Sequence, residues 1–252
     1  MFINSQGFPT YEAKEIGLNV MKFDLYKDTV ESIIITGNEQ NEYFTVLKKA
    51  LSLVDAKIGD KTKHFGHGML RLADRKMSSR TGKVITGESL LSDVEDLVRE
   101  KISERELSEE EKKEIAKNVG IGAIKYSILR QAKGGNIIYD FDKSISFEGD
   151  SGPYLQYSYA RAMSILRKAS EQELGITNNE LGMGGERVSE LVKLLYRFPE
   201  IVERSGREYE PHYVVTYLTE LASSFNSFYA KSPIIGAGEA TKWRLALTRA
   251  FA

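Results

Sequence analysis

A single change of rhythm divides this sequence. Before Ser89 a β-branched run, Val30 to Thr36, stands between two stretches of helical spacing; from Ser89 to the last residue, apolar side chains recur every three to four positions. A chain built in that order is α/β at first and all-α afterwards. Thr10 to Lys22 reads as a helix with Thr10 at its N-cap, and Val30 to Thr36 suits a buried strand. Residues 39–53 form a second helix whose apolar positions are Tyr43, Val46, Leu47, Ala50 and Leu51. His64 to Leu72 reads as one further strand, and Lys83 to Thr86 steps into a helix over Ser89 to Ile102. Strand, helix, strand, loop and helix in this order make half of a doubly wound fold.

In the second part, Ser108-Glu109-Glu110-Glu111 is a capping box for a helix ending near Gln131, and Gly134-Gly135 breaks it. Gly152-Pro153 opens the next helix, with proline in its first turn. Further helices are expected over about 186–204, 211–229 and from 239 onward. Along the helix from Pro153, the residues Leu155, Tyr159, Ala162, Leu166 and Ala169 form an inward stripe. Tyr154, Tyr157 and Arg161 fall on a neighbouring face, suited either to stacking on single-stranded RNA or to bundle packing with a wet hydroxyl.

Composition excludes several classes. The chain has 252 residues and no cysteine, so disulfide frameworks and zinc-thiolate sites are ruled out. It holds no apolar run of membrane-spanning length, and its first residues lack the basic-then-apolar profile of a secretory signal, so a cytoplasmic location and no membrane partner are expected. With 41% hydrophobic residues it can bury one large or two modest cores. The net charge of -1 means that any RNA must be held by local patches and stacking surfaces rather than by a global field.

Three places carry chemistry. Lys76-Met77-Ser78-Ser79-Arg80-Thr81-Gly82 gathers two cations and three hydroxyls beside a glycine, donors suited to phosphate oxyanions on a loop between a strand and a helix; a solvated turn is the plainer alternative. Gly37-Asn38-Glu39-Gln40 lies between strand and helix, where open α/β sheets bind nucleotides, although a helix cap explains part of that signal. Tyr11 and Glu15 are one helical turn apart, so a phenol and a carboxylate share a face; an ordinary amphipathic helix with Tyr11 packed and Glu15 solvated remains open. His64 and His67, three apart on a strand, point to opposite faces and read as scaffold. Lys101, Arg105, Lys112 and Lys113 read as a solvated helix face.

The string from Lys76 to Gly82 resembles the KMSKS loop of class I aminoacyl-tRNA synthetases, in the variant typical of the arginyl enzymes. Two further blocks in the same order resemble that family: Gly7 to Leu18, similar to its arginine-binding segment, and Phe147 to Arg161, similar to the entry into its anticodon-binding helical domain. Asn226-Ser227-Phe228-Tyr229 is similar to a block beside the anticodon.

The resemblance implies a C-terminal part of a Rossmann-like catalytic domain with its loop over residues 1–90, a helical junction over 91–150, and a helical-bundle anticodon-binding domain of the DALR type over 151–252, cut short at its end. The family's HIGH block is expected upstream of Met1, since His64-Phe65-Gly66-His67 lies too near Lys76 to be that motif. The implied reaction forms arginyl-adenylate from arginine and ATP and transfers the arginyl group to an arginine-accepting tRNA; this piece alone is expected to be inactive. Tyr11 and Glu15 would hold the arginine side chain, Glu15 standing where the family often has aspartate. Gly37, Gln40, Lys76 and Met77 would meet ATP, while Lys76 and Arg80, with Ser78 and Ser79 as donors, would stabilise charge on the departing pyrophosphate. Because the motif's second lysine is Ser79 here, the cationic role falls to Lys76 or Arg80. Mg²⁺ would arrive with ATP rather than in a protein cage. Tyr154, Tyr157, Arg161 and Tyr229 would contact tRNA, and the parent enzyme is expected to be monomeric. Two alternatives compete with this reading: a non-catalytic tRNA-binding module, and a piece of another class I enzyme such as the cysteinyl one.

Overall fold

The computed structural model describes residues 2–72, 86–169 and 189–252. It divides into two units, one running to Leu70 and joined by Lys133–Ile137, the other made of Arg71–Ala132 with Ile138–Ala252.

The first unit is a βαβ crossover with a helix before it. Strand β1 (Ser32–Gly37) runs parallel to β2 (Thr62–His67), from Ser32 opposite Thr62 to Gly37 opposite His67. Parallel neighbours cannot be joined by a hairpin, and the crossover is supplied by a 3₁₀ turn (Asn38–Gln40), α2 (Asn41–Val54) and α3 (Ala56–Lys61). Asp55 starts α3 by accepting from the amides of Lys57 and Ile58 at 2.8 and 3.1 Å. Helix α2 buries Phe44, Leu47 and Leu51.

Two expectations are corrected here. Val46 is exposed and Phe44 takes the inward position, because the stripe that closes at 44, 47 and 51 leaves 46 on the outer face. The β1 strand begins at Ser32 and alternates: Ile33 and Ile35 are 46% and 68% exposed, so the run is not buried on both faces.

Helix α1 (Tyr11–Leu25) packs on this crossover. Thr10 stands at its N-cap position but caps no amide. Its hydroxyl bonds the Glu12 carboxylate instead, which holds that carboxyl below its ordinary range.

The strand expected over His64 to Leu72 is two strands. β2 stops at His67, and β3 (Leu70–Leu72) pairs with β4 (Ile137–Tyr139). The break is made by a long-range approach: a Cβ on Gly68 would lie 1.9 Å from the Gly135 carbonyl oxygen, so only glycine fits. Beside it, the Met69 amide donates to Asn136 Oδ1 and the Ile137 amide to the Met69 carbonyl, both at 2.9 Å.

The second unit is helical: α4 (Gly87–Lys101), α5 (Glu109–Leu129), α6 (Phe141–Ser144), α7 (Gly152–Lys168), α8 (Glu190–Glu208), α9 (His212–Lys231) and α10 (Ala240–Phe251). Thr86 caps α4, and α5 starts with the expected capping box between Ser108 and Glu111. A core of Ala162, Ile165, Leu191, Leu194, Leu221, Phe225 and Leu245 joins α7 to the last three helices. Phe225 stacks on Phe251 with ring centres 4.0 Å apart.

On α7 the inward stripe is Ser158, Ala162 and Ile165, and Tyr159 is half exposed, which corrects the expected stripe. Ser158 is fully buried without loss because its hydroxyl donates to the Tyr154 carbonyl at 2.8 Å and accepts from Asn226. Among the described residues no helix is long and apolar enough to cross a membrane.

Candidate functional site

In the first unit, α1 carries Tyr11, Glu15 and Asn19 at successive turns, so all three share one face. Tyr11 is exposed and Glu15 half buried. Asn19, which the sequence reading passed over, is fully buried and aims the Glu15 carboxylate. Its amide nitrogen donates to Glu15 Oε1 at 3.2 Å and to the Glu15 carbonyl at 2.8 Å.

Opposite this face stands Tyr43 of α2, its ring centre 5.6 Å from that of Tyr11. Burial, followed by the charges of Tyr11, Glu15 and Glu12, pushes the Tyr43 phenol up to about 12. It is therefore neutral at physiological pH, and its oxygen can accept a hydrogen bond. Its hydroxyl and Asn19 Oδ1 are buried with no protein partner among the described residues. A carboxylate, a phenol pair and an orphaned amide oxygen suit a ligand with several fixed N–H donors, which is the inventory of a guanidinium.

Gly37 and Gln40 sit at the C-terminal end of β1, where the chain turns into α2. Thr36 Oγ1 beside them donates to the Gly37 carbonyl at 3.0 Å and lies 2.8 Å from His64 Nε2. The His64 ring stacks on Phe44 at 4.1 Å, and burial lowers its pKa. His67 bonds its neighbour, with Nδ1 2.9 Å from the Gly68 carbonyl. Among the described residues no group of histidine and carboxylate side chains is placed to hold a metal ion. Lys76, Met77, Ser78, Ser79 and Arg80 lie outside the described residues.

In the second unit, three of the four expected RNA-contacting residues meet. The Arg161 guanidinium carbon lies over the Tyr157 ring at 4.5 Å and over the Tyr229 ring at 4.9 Å. Tyr157 is one turn earlier on α7, and Tyr229 comes from α9. Arg161 also donates from Nη2 to the Tyr157 hydroxyl at 2.7 Å and from Nη1 to Asn226 Oδ1. The fourth residue, Tyr154, joins through Asn226, whose amide nitrogen donates to the Tyr154 hydroxyl at 3.1 Å and to Ser158 Oγ at 2.8 Å. Both tyrosine rings remain nearly half exposed, 48% for Tyr157 and 44% for Tyr229. The rings thus already stack on a cation.

Residues 2–141, more than half of the chain, match the family described as tRNA synthetases class I (R), catalytic domain. The chain belongs to this arginyl class I synthetase family. Residues 155–252 match the DALR anticodon binding domain, the segment that holds Tyr157, Arg161, Asn226 and Tyr229.

Among curated relatives, the arginine–tRNA ligase of Latilactobacillus sakei is 33% identical over 245 residues, covering 97% of this chain and 43% of the relative. That of Lactococcus lactis is 36% identical over 221 residues, covering 88% and 39%. The chain therefore spans less than half the length of these relatives. The arginyl-tRNA synthetase of Thermus thermophilus superposes with a TM-score of 0.81 at 25% identity, over 99% of this chain and 47% of that one. The Plasmodium falciparum enzyme gives 0.78 at 19% identity over 99% of this chain and 43% of that one, a likeness of fold. The fold is thus a class I synthetase catalytic portion followed by a helical anticodon-binding domain, as the sequence implied.

Proposed function

We propose that this chain is the part of an arginine–tRNA ligase that carries the arginine side-chain contacts, the strand end facing ATP, the pyrophosphate-stabilising loop and the anticodon-binding domain. The observation that carries the reading is the joint match of one chain to the catalytic family and to the anticodon-binding domain, with Tyr11, Glu15 and Tyr43 gathered in the first part and Tyr157, Arg161 and Tyr229 in the second.

In this reading Glu15 accepts two parallel bonds from the substrate guanidinium, a geometry that an ammonium cannot reproduce, and Asn19 keeps the carboxylate turned toward it. Neutral Tyr43 closes the side opposite Tyr11. Gly37 and Gln40 offer the strand end and first helical turn to the nucleoside of ATP, where orphan amides are found. Lys76, Met77, Ser78, Ser79 and Arg80 form the loop that engages the phosphates as charge develops on the leaving pyrophosphate. Mg²⁺ enters on the ATP phosphates, for which phosphate oxygens and water suffice as ligands. Residues 1–90, 91–150 and 151–252 act as catalytic portion, junction and anticodon reader, in a monomeric cytoplasmic enzyme.

The test is aminoacylation by the protein encoded in the whole reading frame that contains these residues. Incorporation of arginine, and not of cysteine, into arginine-accepting tRNA is the expected result. Absence of arginine charging on every tRNA tried overturns the proposal.

A further inference from the structure

The Asn226 side chain makes three hydrogen bonds among the described residues. Its carboxamide oxygen accepts from Arg161 Nη1, and both amide protons are placed, one on the Tyr154 hydroxyl at 3.1 Å and one on Ser158 Oγ at 2.8 Å. The two hydroxyls fix which end of the amide is nitrogen, because Ser158 already spends its own proton on the Tyr154 carbonyl and can only accept. The oxygen is therefore forced toward Arg161. Ser158 is fully buried on α7 and Asn226 is half buried on α9, so this orientation is set from inside the bundle.

Arg161 is consequently held on several sides. Rings of Tyr157 and Tyr229 lie against the guanidinium carbon, and Asn226 and the Tyr157 hydroxyl each take one N–H. Of the five N–H donors of a guanidinium, three have no protein acceptor among the described residues. A base cannot enter between the rings, since the guanidinium occupies that space. The three remaining donors lie in the guanidinium plane, a set that suits oxyanion acceptors.

We propose that Asn226 is a positioning residue that locks Arg161 between Tyr157 and Tyr229 so that its free edge receives a phosphate of the tRNA backbone. The proposal rests on the reading of the second unit as an RNA-binding domain and assigns Arg161 a phosphate contact in place of base stacking. The tyrosines serve as walls that desolvate the cation and leave only their outer faces for bases. Asn226 itself touches no RNA and acts through Arg161.

Two measurements on the full 252-residue chain test this. In the free protein labelled with ¹⁵N-arginine, the Nη signals of Arg161 should be separate, showing hindered rotation, and should merge in Asn226→Ala. Merged signals in the wild-type chain overturn the proposal. For arginine-accepting tRNA, Arg161→Ala should weaken binding about tenfold and lower the slope of log affinity against log salt by about 1. Asn226→Ala should approach the same loss and add nothing in the Arg161→Ala background, because it works through that side chain. Additive losses would mean that Asn226 acts independently, and the proposal fails.

Loss of anticodon preference with an unchanged salt slope would assign the edge to a base and overturn the phosphate. Wild-type affinity for Arg161→Ala overturns the RNA role of Arg161 alone, since discrimination of anticodons by the whole chain is measured separately. If Asn226→Ala does not fold, Tyr154→Phe combined with Ser158→Ala removes the two hydroxyls that orient the amide and supplies the same readouts.

Discussion

His64 shows how a polar ring can be spent on structure. It stacks on Phe44 and meets Thr36 Oγ1 through Nε2, and burial lowers its pKa. A histidine whose folded pKa lies below its unfolded value of 6.5 binds fewer protons folded than unfolded, so stability rises with pH in that window. The contribution is fully present above the unfolded pKa and is lost as pH falls through and below it. Thermal unfolding of the first unit should therefore shift to lower temperature as pH falls below about 6.5, and His64→Phe should flatten that dependence; an unchanged slope contradicts it. At this scale the shared face of Tyr11 and Glu15 was legible, because one helical turn separates them. Asn19 and Tyr43 were not, since an asparagine inside an apolar stretch and a tyrosine in a helix stripe announce no role until α1 and α2 are packed together. Asn226 lies in a block that the resemblance singles out, but its contacts are not legible there, because its partners lie about seventy positions away.

At the level of elements, caps and glycines decide where helices start and how closely they approach. The capping box at Ser108 and proline at the start of α7 could be read directly, because both are local chemistry. The approach of α5 and α7 could not. A Cβ on Gly152 would lie 2.5 Å from the Gly122 carbonyl oxygen, backbone against backbone, whereas one on Gly206 in α8 would meet nothing. Gly152→Ala should therefore cost about 1–3 kcal/mol through forced separation of the helices, while Gly206→Ala should gain about 0.5–1 kcal/mol from helix propensity alone. Denaturant unfolding of the second unit measures both, and equal effects would contradict the close packing. Stripes on single helices were misread by one position, at Val46 and Tyr159, because a 3.6-residue period leaves two candidate faces when apolar residues flank both. At Ser158 the buried position was polar, and only its partners explain it.

For the whole molecule, the order of blocks along the chain revealed the family, whereas the partition into units did not follow from it. Lys133–Ile137 joins the first unit through the contact of Gly135 with Gly68, and no periodicity in those five residues signals so distant a partner. The balance of charge bears on function at this scale. With a net charge of -1, the chain has no general attraction for RNA, so any RNA must be held at organised places, of which Arg161 between its two tyrosines is the proposed one. Arg161 supplies a phosphate contact there, and dependence on the presented nucleotides falls to the outer faces of the Tyr157 and Tyr229 rings. The affinity of the 252-residue chain for an arginine-accepting tRNA, measured beside the same tRNA with its anticodon replaced and at one salt concentration, tests this most directly. The account predicts tighter binding of the native anticodon by tenfold or more, about 1.4 kcal/mol; equal binding of both tRNAs would contradict it.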